Sequence, residues 1–187
     1  MALKRDFRSF AEKKALDFRN ELELKSFDFL CAFSLCKYLN IPILEPDKIV
    51  GLEPYHLSNL LGEGSNHWSA ATIPVGGGSN IILHNINHTE MRQQSNIMHE
   101  LAHIICKHET PVTYSLNNLP GNLRNFNEEQ EAEAEWLGSC LQLPRQALLW
   151  ALKNGLSINE ISERFVASPS MVQYRINITG VKNQVRL

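Results

Sequence analysis

No two cysteines in this sequence stand at C-x-x-C spacing, and the four present, Cys31, Cys36, Cys106 and Cys140, are scattered. That argues against zinc-ribbon and thioredoxin-like patterns. The N-terminus, MALKRDFRSF, has no apolar stretch of the kind a signal peptide needs, so a disulfide framework is not expected and reduced thiols in the cytoplasm are. Long hydrophobic runs are missing too. The most apolar early segment, F-D-F-L-C-A-F-S-L-C-K-Y-L, is interrupted by Asp28 and Lys37 and is too short to span a bilayer. It reads as a core helix, with Cys31 and Cys36 as small core residues. Neither sign of charge dominates: 18 Lys and Arg against 20 Asp and Glu leave a net charge of -2. This gives no footprint for non-specific nucleic-acid binding, which depends on many cations facing phosphates. Repeats and low-complexity tracts are also absent.

What remains is a chain of 187 residues, 43% hydrophobic, sufficient for one good core, or one core plus a small appendage. One or two helices are expected in the first forty residues. One carries Phe7, Phe10, Leu16 and Phe18, and a largely buried second runs over Ser26–Leu39. I-P-I-L-E-P from Ile41 is extended, because proline disfavours helix in the residue before it. The run H-W-S-A-A-T-I-P-V, then G-G-G-S, then N-I-I-L-H-N predicts a β-hairpin whose glycines supply the positive φ of the turn. A helix over about Met91–Lys107 follows, then a loop between Glu109 and Asn127 rich in Asn, Pro and Gly. Helices are expected over about Glu128–Gln142 and from Pro144 to Asn154, with Gly155 as a stop. Ser157 with Glu160 is a capping box for a short helix to Phe165. Ser168-Pro169 then opens a last helix to about Asn177.

The chemistry concentrates in M-H-E-L-A-H-I-I-C-K-H-E, Met98–Glu109. Residues four apart share a helix face, so His99 and His103 can aim two imidazoles at one point, as a tetrahedral zinc requires of two ligands. Glu100 points aside of that ion and can reach a water beside it as general base, the logic of H-E-x-x-H. Ile97, Met98, Leu101 and Ile105 fall on the opposite side and anchor the helix. An amphipathic helix with idle surface histidines would show the same separation of faces, so a third ligand decides the matter. His108 does not fit the H-E-x-x-H-x-x-G-x-x-H spacing: Cys106 replaces the glycine and Glu109 holds the third histidine's place. His108 reads as a polar residue at a helix end. The run N-E-E-Q-E-A-E-A-E-W-L-G offers better candidates, although most such runs are solvated acidic faces. Glu131 and Glu135 share a face, so one could bind the metal while the other hydrogen-bonds a ligand histidine. Glu128 is a fallback one turn earlier. Ala132 and Ala134 would let this helix approach the first closely.

H-E-L-A-H-I-I, the later E-A-E-A-E-W-L-G-S-C-L-Q-L-P and the terminal I-S-E-R-F-V-A-S-P-S-M-V-Q-Y-R resemble the ImmA/IrrE family of metallo-endopeptidases, from about Asn80 to the C-terminus. The resemblance implies His99, His103 and Glu131 as zinc ligands and Glu100 as the base. Glu135 stands where the family usually has Asn or Asp, and is expected beside a ligand histidine. Leu137-Gly138 replaces a phenylalanine-alanine step, which concerns packing, and Ala102 replaces a glycine. The fold implied is α+β and mostly helical. A small zincin-like core with a β-hairpin (48–144) lies between an N-terminal helical segment (1–47) and a C-terminal helix-turn-helix-like segment (145–187). Such proteins resemble site-specific, gluzincin-type endopeptidases that cut a helix-turn-helix repressor, often encoded nearby, and release gene expression under stress. Tyr114 and Arg124 in the long loop are candidates to assist the metal. The ligand set accepts several divalent ions, so manganese and iron stand beside zinc.

Two other readings compete. One is the toxin half of a toxin–antitoxin pair, or a protein that binds its regulator without cutting. The other is a DNA-binding regulator built on Ile158–Arg175, whose second helix offers only Arg175 as a base-reading cation. Direct DNA binding is therefore not expected, nor is membrane association.

Overall fold

A computed structural model describes Leu3 and residues 5–108 and 127–185. It is mostly helical with one small sheet, the α+β class anticipated. Helix α1, Arg5–Glu21, buries Ala11, Ala15 and Phe18, a stripe at helical spacing. The expected phenylalanine stripe is only partly borne out, since Phe10 is exposed and small alanines make the contact. The second helix is shorter than expected: α2 covers only Ala32–Tyr38. Upstream, Asp28 accepts from the Lys25 N–H through its side chain and from the buried Arg19 Nε through its carbonyl. These bonds hold the backbone in a turn and compete with a helix.

Strand β1, Ile43–Leu44, pairs in parallel with β3, Ser79–His84, and β3 pairs antiparallel with β2, Ala70–Val75. The order is β1-β3-β2, leaving β2 at the edge among the described residues. The hairpin is the one the sequence predicts. Gly77 and Gly78 adopt φ of 78° and 76° at its tip, where any Cβ would be strained. Helix α3, Pro54–Leu61, lies between β1 and β2 in the chain, buries no residue, and is not among the helices expected from the sequence.

Helix α4, Glu90–Cys106, packs most extensively on α5, Glu128–Gln142, and both contribute to the core shared by α1, α2 and the sheet. Ile97, Met98 and Leu101 are fully buried there, each stabilising by roughly 1.5–3 kcal/mol relative to exposure. Asn127 caps α5 by accepting from the Glu129 and Gln130 N–H groups. A second cluster is built from α6 (Arg145–Lys153), α7 (Ile158–Phe165) and α8 (Pro169–Thr179), followed by α9 (Lys182–Val185). The Ser157–Glu160 capping box forms as expected, and α8 runs two residues past Asn177. Glu12 of α1 ties the regions together. It accepts from the Arg145 N–H at 2.8 Å and pairs with Arg175 at 2.6 Å.

Candidate metal centre

The histidines stand on the last two turns of α4 and the carboxylate on the first turn of α5. His99 Nε2 lies 3.1 Å from His103 Nε2 and 3.3 Å from Glu131 Oε2, and His103 Nε2 lies 3.6 Å from Glu131 Oε1. Tetrahedral zinc with bonds of about 2.0–2.1 Å separates its ligand atoms by roughly 3.3 Å. The three donors therefore suit such an ion in spacing as well as in chemistry. The His99 and His103 side chains are partly exposed, so a fourth position can be reached from solvent.

Close helix approach makes this possible. A Cβ on Gly138 would sit 3.1 Å from the Met98 carbonyl oxygen and 3.2 Å from the His99 Cα and N. The two backbones thus meet at the residues that bear the motif. Ala134 is fully buried in the same contact region and Ala132 partly so, in keeping with the expected role of small residues. In the sequence Gly138 signals packing only, and its closeness to His99 depends on a helix crossing that sequence does not display.

Glu100 is 5% exposed and Oε2 accepts a hydrogen bond from Thr72 Oγ1 at 2.7 Å. It sits between the histidine face and strand β2. Thr72 carried no signal in the sequence beyond its place in a hairpin strand.

The structure does not bring Glu135 to the histidines. Its side chain is exposed, and its charge acts on Tyr174, whose hydroxyl is pushed above the usual tyrosine range by burial first and by Glu135 second. Glu128 is exposed at the start of α5 and outside the cluster. Besides Glu131, the carboxylate of α5 that meets a histidine is Glu133, through His108. His108 Nδ1 lies 3.0 Å from His103 Nδ1, and His108 Nε2 lies 3.2 Å from Glu133 Oε2. Tyr114, Arg124 and the loop between Glu109 and Asn127 lie outside the described residues, apart from Asn127.

Arg175, the cation of the DNA-binding alternative, is fully buried. Its Nη2 pairs with Glu12 and its Nε donates to the Leu143 carbonyl. It cannot reach a base edge. No described helix is long and apolar enough to cross a membrane. All four cysteines are free.

Comparison with known proteins follows the same line. The peptidase M78 family model, described as an IrrE N-terminal-like domain, matches residues 36–177. No curated protein matches the chain. Among solved structures, a Mycobacterium tuberculosis transcriptional regulator shares the fold at a TM-score of 0.53 and 12% identity. The match covers 93% of this chain and 47% of that one. The chain thus spans about half the length of that structure.

Proposed function

The chain belongs to the peptidase M78 family of metallopeptidases, and we propose that it is a zinc-dependent endopeptidase whose substrate is a helix-turn-helix repressor. The observation that carries this reading is the meeting of His99, His103 and Glu131 at ligand spacing beside a buried Glu100. Zinc held there supplies Lewis acidity to a water and to the scissile carbonyl. Glu100 would take a proton from the attacking water as its oxygen bonds to the scissile carbon and pass it to the amine as the C–N bond breaks, with Thr72 holding the Glu100 carboxylate in place. Strand β2, at the sheet edge among the described residues, runs beside Glu100, and a substrate segment laid along that strand would bring its peptide bond to the base.

Two further observations support a protein substrate over DNA. The only cation of the would-be recognition helix that could read a base is buried, and the chain carries no excess positive charge. The test is incubation of the metal-loaded protein with the repressor encoded beside its gene. Cleavage is expected, abolished by chelator and by Glu100→Gln with zinc retained. Native-rate cutting by that variant rules the mechanism out, and stable binding without cutting assigns the protein to the non-cleaving alternative.

A further inference from the structure

The end of α4 contains a hydrogen-bonded chain that H-E-x-x-H chemistry does not require. Lys107 adopts the left-handed conformation at φ 55°, and the His108 N–H reaches back to the His103 carbonyl at 3.0 Å. This is a Schellman-type closure made with lysine instead of glycine. It swings the His108 ring against the His103 ring, with centroids 5.0 Å apart at 76°. Both partners are shielded: the side chains of His108 and Glu133 are 6% and 16% exposed.

Proton counting gives this chain one direction. Two ring nitrogens 3.0 Å apart, His103 Nδ1 and His108 Nδ1, need one hydrogen between them, since two lone pairs or two N–H groups would repel. If His103 offers bare Nε2 to a metal, its neutral ring carries the hydrogen on Nδ1 and donates it to His108. His108 then has a bare Nδ1 and a hydrogen on Nε2, which points at Glu133. The carboxylate can only accept, so it selects that tautomer of His108.

We propose that His108 and Glu133 are a positioning pair that locks His103 in its metal-binding tautomer and ring orientation. Neither touches the ion or the substrate. The proposal rests on His99, His103 and Glu131 being the metal ligands. Partners of this kind are worth about 10–100-fold in metal affinity when removed.

The test uses the full chain and zinc, with affinity measured by competition against a chromophoric chelator. His108→Phe is expected to weaken zinc binding by about 10–100-fold. His108→Asn, whose Oδ1 can stand near the lost Nδ1 and accept from His103, is expected to stay within roughly threefold of the native chain. Imidazole ¹⁵N NMR of the zinc-loaded native protein provides a readout that needs no variant. His103 is expected to be protonated on Nδ1, and His108 on Nε2 with Nδ1 bare. Native zinc affinity in His108→Phe, or His108 carrying its hydrogen on Nδ1, overturns the pair while leaving the metal site standing. A native chain that binds no zinc overturns the site itself.

Discussion

Thr72 on strand β2 donates its hydroxyl hydrogen to Glu100 Oε2 at 2.7 Å, joining that strand to the glutamate of the H-E-x-x-H helix, the proposed base. A buried carboxylate with a fixed donor keeps one rotamer, and general-base catalysis depends on that alignment. Thr72→Val removes the hydroxyl at nearly constant volume. Steady-state cleavage kinetics are expected to show kcat reduced about 10-fold with KM little changed. Thr72→Ser should recover most of the loss, and a kcat unchanged in Thr72→Val would remove the hydroxyl from the mechanism.

Metal binding should also be visible as stability. A ligand at 100 times its Kd stabilises the folded state by about 2.7 kcal/mol. For a chain of this size that is roughly 5–11 °C in Tm. Zinc added to chelator-treated protein is expected to raise Tm by this much in the native chain. In Glu131→Gln, which keeps the volume but weakens the third donor of the cluster, the shift should shrink to a small fraction.

How much of this was legible in the sequence follows from the distance over which each feature is built. His99, Glu100 and His103 lie on one helix, so periodicity alone gives their geometry. The hairpin and the Ser157 capping box are equally local, and both formed as read. Glu131 required a family resemblance, because an acidic helix face looks the same whether or not another helix brings histidines to it. His108 was read as a helix-end residue, and it is one, but its bond to His103 comes from a left-handed lysine that sequence does not mark. Glu133 enters only through the crossing of α4 and α5. The burial of Arg175 is hidden for a related reason: nothing in P-S-M-V-Q-Y-R shows that it pairs with Glu12, 163 residues away.

That pair gives a third prediction. Arg175 is fully buried while Glu12 is partly exposed, so truncating Glu12 strands a guanidinium in the core. Glu12→Ala is expected to cost about 3–5 kcal/mol in denaturant unfolding. It also releases the Arg145 N–H that Glu12 accepts. Glu12→Leu combined with Arg175→Met removes both charges and should recover much of the loss. No duplex DNA binding is expected of the native chain or of any of these variants, which a titration at low salt checks.

His84 supplies a pH dependence. It is 3% exposed and packs edge-on against Phe33 at 5.5 Å. Burial pushes its pKa below the ordinary value, with the charge of Glu45 opposing in part. The unfolded chain takes up a proton near pH 6.5, which the folded chain resists until lower pH. Stability from this residue is therefore complete above about pH 6.5 and falls below it, by at most about 1.4 kcal/mol per pH unit. Chemical denaturation of the native chain and of His84→Gln between pH 7.5 and 5.5 checks this. The native chain is expected to lose more stability over that interval, and equal losses would show that His84 is not the cause.

The close approach at Gly138 leads to the last prediction. Its missing Cβ leaves room for the Met98 carbonyl and the His99 backbone, atoms that cannot rotate away as a side chain would. Gly138→Ala asks those atoms to yield by a few tenths of an ångström, and Gly138→Val asks for more. Overpacking of this kind costs about 1–3 kcal/mol. The only relief is to move α5 away from α4, and Glu131 rides on α5 two turns before Gly138 while His99 sits at the contact itself. The two substitutions should therefore lower zinc affinity in the order Val below Ala below Gly, in proportion to their loss of stability. A Gly138→Val chain that is destabilised yet binds zinc as tightly as the native protein would show that the metal cluster does not depend on this helix crossing.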